Sequence, residues 1–455
     1  MRWLGICLAL LVGLVLQAGE VRVPDPALEA ALRQALGKPE GPILAEELAR
    51  LTELHAAGYG IEDLTGLEHA VNLRVLDLSV NRIADLSPLA KLRNLEDLNL
   101  MHNRIRDVRP LAELLDLRRL YLGFNHVENL WPLVGLRNLQ ELDLTQNPVR
   151  DILPLASLVR LETLTLAHTE VLDLQPLVLL TGLRFLAVNG SNVLDLEPLA
   201  SLPSLTVLWA DMNAISDLSP LSALRELRWL SLSMNPIADL RPLAALAQLE
   251  RLELAFANIT DVAPLAHLRR LRHLDLRGNE IRDIRPLANL KDLVYLDLSD
   301  NPIADFTPLG ELRALETLGL GNTGLRDLAP LRTLSRLRWL KASENRISDL
   351  SPLRDLGNLR TLMLDGNLIR SLAPLADLVQ LRDLVVSRNR VEDLSPLRGL
   401  RQLQILAVAG NPVRDWKPLL DLPALRLLVL GGVLLGEEGQ RVVAELEARG
   451  VRVLR

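Results

Sequence analysis

The chain has 455 residues with 51 Lys or Arg against 57 Asp or Glu, a formal charge of −6 spread without a basic cluster, so the electrostatic footprint of a nucleic-acid binder is missing. Hydrophobic residues make up 49% of it but fall at intervals after residue 20, which excludes a conventional membrane span there. The single cysteine, Cys7, supplies no disulfide framework.

In chain order, Arg2 precedes an apolar run from Leu4 to Leu16, too short to cross a bilayer, and then LQAGE. Residues 1–18 are expected to be a secretory signal cleaved after Ala18. The remaining chain is cysteine-free, and a periplasmic or secreted location is expected. Residues 19–56 are expected to form a helical N-terminal cap. Pro24 and Pro26 precede Leu28, Ala31, Leu32 and Leu36 at helical spacing, and a second helical stretch, Leu44 to Leu51, follows the Gly41-Pro42 break.

Residues 57–433 are periodic. After a degenerate repeat with Tyr59 and Gly66 in the key positions, N-x-[IVL]-x-D-[LIVFW]-x-P-L returns every 22 residues, sixteen times from Asn81 to Asn411, without insertion or deletion. Thr169, Ser191, Ala257 and Thr323 replace asparagine in four copies, and Asn129 and Ser371 replace aspartate in two. The last strand is expected at Leu425 to Val433. A C-terminal cap is expected at 434–455, with a helix from Gly436 to Ala448 that presents Val442, Val443 and Leu446 on one face before VRVLR. Caps are required because a repeat stack leaves an apolar cross-section at each end. No wall-anchor motif, polybasic tail or appended catalytic module is expected.

Each position of the repeat has a physical role. Leu76 and Leu78 alternate with Asp77 and Ser79, the period-two pattern of a half-buried strand, and strands of successive turns are expected to stack in parallel. The asparagine closes the strand by donating to and accepting from backbone groups buried in the turn. Stacked aspartates would repel one another, so each is expected to accept a local backbone N–H ahead of the proline. The proline fixes the backbone entering a short helical or 3₁₀ segment on the convex side.

A period of this length with L-x-x-L-x-L-x-x-N is the leucine-rich-repeat signature. LRVLDLSVNRIADLSPLAKLRNL, repeated with variation, resembles the 22-residue class of bacterial internalins and of eukaryotic phosphatase-regulatory leucine-rich-repeat proteins. The N-terminal elements, ending in LTELHAAGYGIEDLTGLEHAVNL, resemble the cap of secreted internalin-like proteins. The expected fold is an α/β repeat solenoid, a horseshoe or arc with a concave parallel sheet. The internalin resemblance implies adhesion or recognition at a cell surface.

With the scaffold positions assigned, binding is expected at the strand positions six, four, two and one residues before the asparagine. Eight of the thirteen aromatics fall there: Tyr121, Phe124, Phe185, Trp209, Trp229, Phe256, Tyr295 and Trp339. Phe185, Trp209, Trp229 and Phe256 come from four consecutive repeats and are expected to form one exposed patch. Asp211 lies within it. Beside it Glu253, Asp275 and Asp297 share one position of three consecutive repeats, with Arg251, His273, Arg277 and Asp300 nearby, and Arg251, Arg277 and solvent are expected to offset the acids. A protein or peptide partner is the leading expectation. A glycan or cell-wall ligand stacking on the same rings is the alternative, and an intracellular phosphatase-regulatory scaffold a second alternative. Catalysis is not expected, because the histidines occupy differing positions and no serine–histidine–acid set converges. No cofactor, metal site or glycine-rich phosphate loop is expected, since His273, Asp275, Asp297 and Asp300 lack dedicated loop spacing.

Overall fold

The computed structural model describes residues 19–433 and 435–455. The expected signal, residues 1–18, and Leu434 at the start of the expected C-terminal cap lie outside the described residues. The chain divides into two units, Met1–Leu205 and Thr206–Arg455.

In the first unit seven three-residue strands follow the repeat: β1 Glu53–His55, β2 Val75–Asp77, β3 Asp97–Asn99, β4 Arg119–Tyr121, β5 Glu141–Asp143, β6 Thr163–Thr165 and β7 Phe185–Ala187. Neighbours pair in parallel with leucine opposite leucine, as in Leu54 with Leu76 and Leu164 with Leu186. The second unit continues the rule with β8 Val207–Trp209, β9 Trp229–Ser231, β10 Arg251–Glu253, β11 His273–Asp275, β12 Tyr295–Asp297, β13 Thr317–Gly319, β14 Trp339–Lys341, β15 Thr361–Met363, β16 Asp383–Val385, β17 Ile405–Ala407 and β18 Leu427–Val429, and ends on β19 Arg452–Leu454, where Val453 faces Leu428. Both units are leucine-rich-repeat solenoids. A fixed 22-residue step with no insertion keeps every leucine in its layer, because a slip of one residue would turn the apolar face outward.

The crossing segments are 3₁₀, and in the sixteen regular repeats each opens one residue before the proline, as in Ser87–Lys91 and Arg285–Asn289, whereas the degenerate repeat uses Leu67–His69 after Gly66. A 3₁₀ segment rises about 2 Å per residue, so it spans the return with fewer residues than an α-helix needs. Asp85 Oδ1 accepts the Ser87 N–H at 2.9 Å, and the same two-residue bond recurs at Asp107 and Asp283. The exceptions behave alike: Asn129 Oδ1 accepts from Trp131 at 3.0 Å and Ser371 Oγ from Ala373 at 3.2 Å. The aspartate position therefore belongs to the scaffold.

The asparagines form buried ladders. Asn301 Nδ2 donates to the carbonyls of Leu276, Leu298 and Ser299 at 2.8, 3.1 and 3.2 Å, and its Oδ1 accepts from Ile281 N at 3.0 Å. Where the next repeat carries Ala257, the Ile237 N–H turns instead to the carbonyls of Asn235 and Ala257, at 2.9 and 3.1 Å. The broken ladder is thus repaired by backbone.

At the N-terminal end, α1 (Pro26–Leu36) is capped by Asp25, whose Oδ1 accepts from Ala27 and Leu28 while Oδ2 accepts from Glu62 and Asp63. One carboxylate so ties the helix to the degenerate first repeat. The second helix, α2 (Ala45–Leu48), is shorter than its pattern implies, because β1 must begin at Glu53 to stay in register with Val75. At the other end α3 (Glu437–Ala448) buries Val442, Val443 and Leu446, and Gly439 lies against Trp416. No helix among the described residues is long and apolar enough to cross a membrane.

Candidate functional site

On the second unit's strand face, the position six residues before the asparagine carries Trp229, Arg251, His273 and Tyr295 on β9 to β12, aligned by strand register. The Arg251 guanidinium lies 4.3 Å from the Trp229 ring centre, and the His273 and Tyr295 rings stack at 4.0 Å and 8°. Trp209, two residues further along on β8, meets Trp229 edge to face at 4.9 Å. These side chains form a packed ladder in which each half-buries its neighbour. Aromatic and cation–π contacts of this kind contribute about 0.5–1.5 kcal/mol each and restrict the rotamers of the groups that make them. The Trp229 Nε1 is buried with no acceptor among the described residues.

The acids occupy the adjacent position. Glu253, Asp275 and Asp297 are paired strand to strand, and Glu253 is bonded to Arg251, Nε to Oε1 at 2.6 Å. Asp275 Oδ1 and Asp297 Oδ1 accept the backbone N–H groups of Arg277 and Ser299, at 3.0 and 2.8 Å. Asp297 is only 6% exposed and leans over Gly319, where a Cβ would stand 2.3 Å from its Oδ1. Ser231 Oγ lies 2.5 Å from Asp211 Oδ1 and 3.0 Å from Glu253 Oε2. One hydroxyl proton faces two carboxylates there, so it serves one at a time. Burial, and more weakly the Glu253 charge, raise the Asp211 carboxyl, while burial and the Asp297 and Glu253 charges raise Asp275. Burial and then Arg251 hold His273 down to about 4, and burial followed by Asp297 and Asp275 lifts Tyr295 to about 12.

Several expectations need correction. The Arg277 guanidinium makes no ion pair with the acid row: it sits 5.3 Å over the Phe256 ring, from where its charge still favours ionised Asp275, while Arg251 bonds Glu253 directly. Nor is the aromatic face freely exposed. Tyr121, Phe124, Phe185, Trp209, Trp229, Tyr295 and Trp339 are half-buried, and only Phe256, at 44%, stands out. Phe256 does not join the tryptophan pair side by side; it lies over Gly278, where a Cβ would meet its ring at 2.2 Å. In the first unit Tyr121 donates to Glu141 Oε2 at 2.7 Å, Phe124 stacks on His102 at 4.0 Å, and Phe185 sits on β7. Trp339 on β14 pairs in register with Thr317 of β13 and Thr361 of β15, so the ring ladder stops at Tyr295. Trp131, at the head of the 3₁₀ segment Trp131–Leu133 and outside the strand face, is 53% exposed.

The position immediately before the asparagine is not a strand position at all. His102, Phe124, Phe256 and Asp300 have φ of 55, 59, 55 and 58°, and Gly190, Gly278, Gly366 and Gly410 share that left-handed turn. The recurrent glycine was a readable signal. Asp300 faces the next repeat from this turn, where its Oδ1 accepts from Asn322 Nδ2 at 3.0 Å. Residues 319–324, GLGNTG, do spell G-x-G-x-x-G, contrary to expectation. The stretch runs from β13 into an ordinary repeat turn and is followed by the 3₁₀ segment Ala329–Thr333, so it lacks the helix N-terminus that such a loop needs to hold phosphate. Among the described residues no group of three or more His, Cys, Asp or Glu could hold a metal ion.

The family model described as Leucine Rich repeats (2 copies) matches residues 71–113, 269–311 and 335–377. An internalin (InlF) of Listeria monocytogenes is similar in structure at 28% identity, covering 86% of this chain and 98% of its own, with a TM-score of 0.51. The chain is an internalin-like leucine-rich-repeat protein. The same fold recurs in a leucine-rich-repeat protein of Leptospira interrogans, 23% identical over 90% of this internalin-like chain and 97% of its own, at a TM-score of 0.61. It recurs also in a plant peptide hormone receptor solved in complex with RGF2, 20% identical over 90% and 81%, at 0.59. No curated protein sequence matches it.

Proposed function

We propose that this chain is an exported, non-catalytic binding protein that recognises a protein or peptide partner on the strand face of its second unit. The observation that carries this reading is the ladder of Trp209, Trp229, Arg251, His273 and Tyr295, held in place by its own contacts beside Glu253. Tryptophan, tyrosine and arginine are the residues that dominate binding energy at protein interfaces, and fixing them beforehand lowers the entropy lost on association. A plant receptor of the same fold is in complex with RGF2, which accords with a peptide-sized partner. Face-on stacking of sugars suits the site less well, since Arg251 covers one face of Trp229 and His273 one face of Tyr295. Export rests on the apolar run of residues 4–16 followed by LQAGE.

The test is capture of partners from the envelope and medium of the producing cells by the wild-type chain, by Trp209→Ala with Trp229→Ala, and by Phe256→Gly. Glycine suits the left-handed turn at Phe256, so that variant removes the ring without straining the backbone. Loss of at least one captured protein in the tryptophan variant is expected, by about tenfold or more in affinity. Equal capture by all three chains defeats the proposal, and saturable binding to a carbohydrate array that the tryptophan variant loses would replace it with glycan recognition.

A further inference from the structure

The row Glu253, Asp275 and Asp297 crosses three neighbouring strands, which lie about 4.8 Å apart. The ladder of Arg251, His273 and Tyr295 flanks it on one side. On the other side lie Ala255 and Ser299, both buried and small, with Arg277 between them. The result is a furrow floored by acids, with the ring ladder along one wall and Ala255, Arg277 and Ser299 along the other. Its own cations are already engaged: Arg251 serves Glu253 and Trp229, and Arg277 lies over Phe256, from where its charge acts on Asp275 without an ion pair. His273 is stacked on Tyr295 and uncharged at neutral pH. Asp275 and Asp297 each give one oxygen to a backbone amide, and neither has an ion-pair partner among the described residues. Five acids, with Asp211 and Asp300, stand against two arginines on this stretch.

We propose that the partner segment seated here is cationic, an extended stretch of polypeptide that lays Arg or Lys side chains along Glu253, Asp275 and Asp297 and an apolar neighbour against Trp209 and Trp229. The charge of the furrow selects this occupant. Carboxylates on adjacent strands suit a guanidinium or ammonium group that bridges two of them, and acids that are half-buried or, at Asp297, buried reject an acidic segment by repulsion. This inference rests on the reading of the face as a binding surface.

The probe is a random dodecapeptide library displayed on phage, panned in parallel on the purified wild-type chain and on Asp275→Asn with Asp297→Asn. Asparagine keeps the oxygen that accepts the Arg277 and Ser299 amides, so the double variant retains the turn, and its thermal unfolding midpoint is measured alongside. Peptides selected by the wild type are expected to carry Arg and Lys at about twice the library frequency or more, with that excess gone on the double variant. A selected peptide is expected to bind the wild type about tenfold more tightly than the double variant at low salt, and to lose binding when its basic residues become Glu. Wild-type selection without a basic excess, an excess that survives on the double variant, or a library that yields no binder overturns the cationic segment. Binding lost only in the Trp209→Ala, Trp229→Ala chain would do the same while leaving the binding face itself standing.

Discussion

His273 illustrates how much of a residue's chemistry its neighbours decide. Free histidine would be partly protonated near pH 6.5, but here burial and Arg251 hold it at about 4. As pH falls below 6.5 the unfolded chain takes up a proton that the folded chain refuses until about 4, so stability present above 6.5 is lost across that window. The loss is about 2 kcal/mol between pH 7 and 5. Asp211 and Asp275 act with the opposite sign: their raised carboxyls cost stability at neutral pH, and that cost fades as pH falls through their folded values toward 3.8. Urea unfolding of the wild type is expected to weaken more between pH 7 and 5 than that of His273→Gln, and equal pH dependence of the two would refute the assignment. The sequence placed His273 beside Tyr295 by simple counting, but nothing in it gives burial or an 8° stack, because both depend on which way the side chains lean.

At the scale of the element, the asparagine ladder sets the turn. Removing the Asn301 amide takes a partner from the Leu276 and Leu298 carbonyls and the Ile281 N–H in a buried turn, while the Ser299 carbonyl keeps the Gly278 N–H; Thr323 makes one clear donation, to the Leu320 carbonyl at 2.9 Å. Asn301→Ala is therefore expected to cost about 2–4 kcal/mol and Thr323→Ala about 1 kcal/mol, read by chemical denaturation. Similar costs for the two would show that the ladder contributes little beyond one bond. The two-residue aspartate turns were legible from sequence, since carboxylates stacked at strand spacing demand a local donor. The left-handed turn before the asparagine was not read, although glycine at 190, 278, 366 and 410 marked it. Side chains there lie across the following repeat, His168 over Gly190 and Phe256 over Gly278, so residues counted as outward-facing partly cover their neighbours.

At the scale of the whole molecule, a solenoid is stabilised by contacts between adjacent repeats, so damage at one end stays local. Trp416 is 3% exposed and packs against Gly439 of α3, which closes the C-terminal end of the second unit. Trp416→Ala is expected to loosen β17 and β18 while the amides of β2 to β6 in the first unit keep their protection, as measured by hydrogen exchange. Uniform loss of protection along the chain would contradict nearest-neighbour stabilisation.

The sequence by itself determined the repeat: a 22-residue step without insertion fixes strand, ladder, turn and 3₁₀ return, because each position meets the same position in the next turn and periodic identity becomes stacking. It also named the acids, arginines and rings of the second unit's furrow, though not Ala255 and Ser299 beside them. Only the tertiary structure decided how those residues share charge and surface. The Arg277 guanidinium went over Phe256 while its backbone N–H went to Asp275, the rings covered one another, and Asp297 sank over a glycine. These outcomes depend on side-chain direction across neighbouring repeats, a quantity that the order of residues along one strand does not contain.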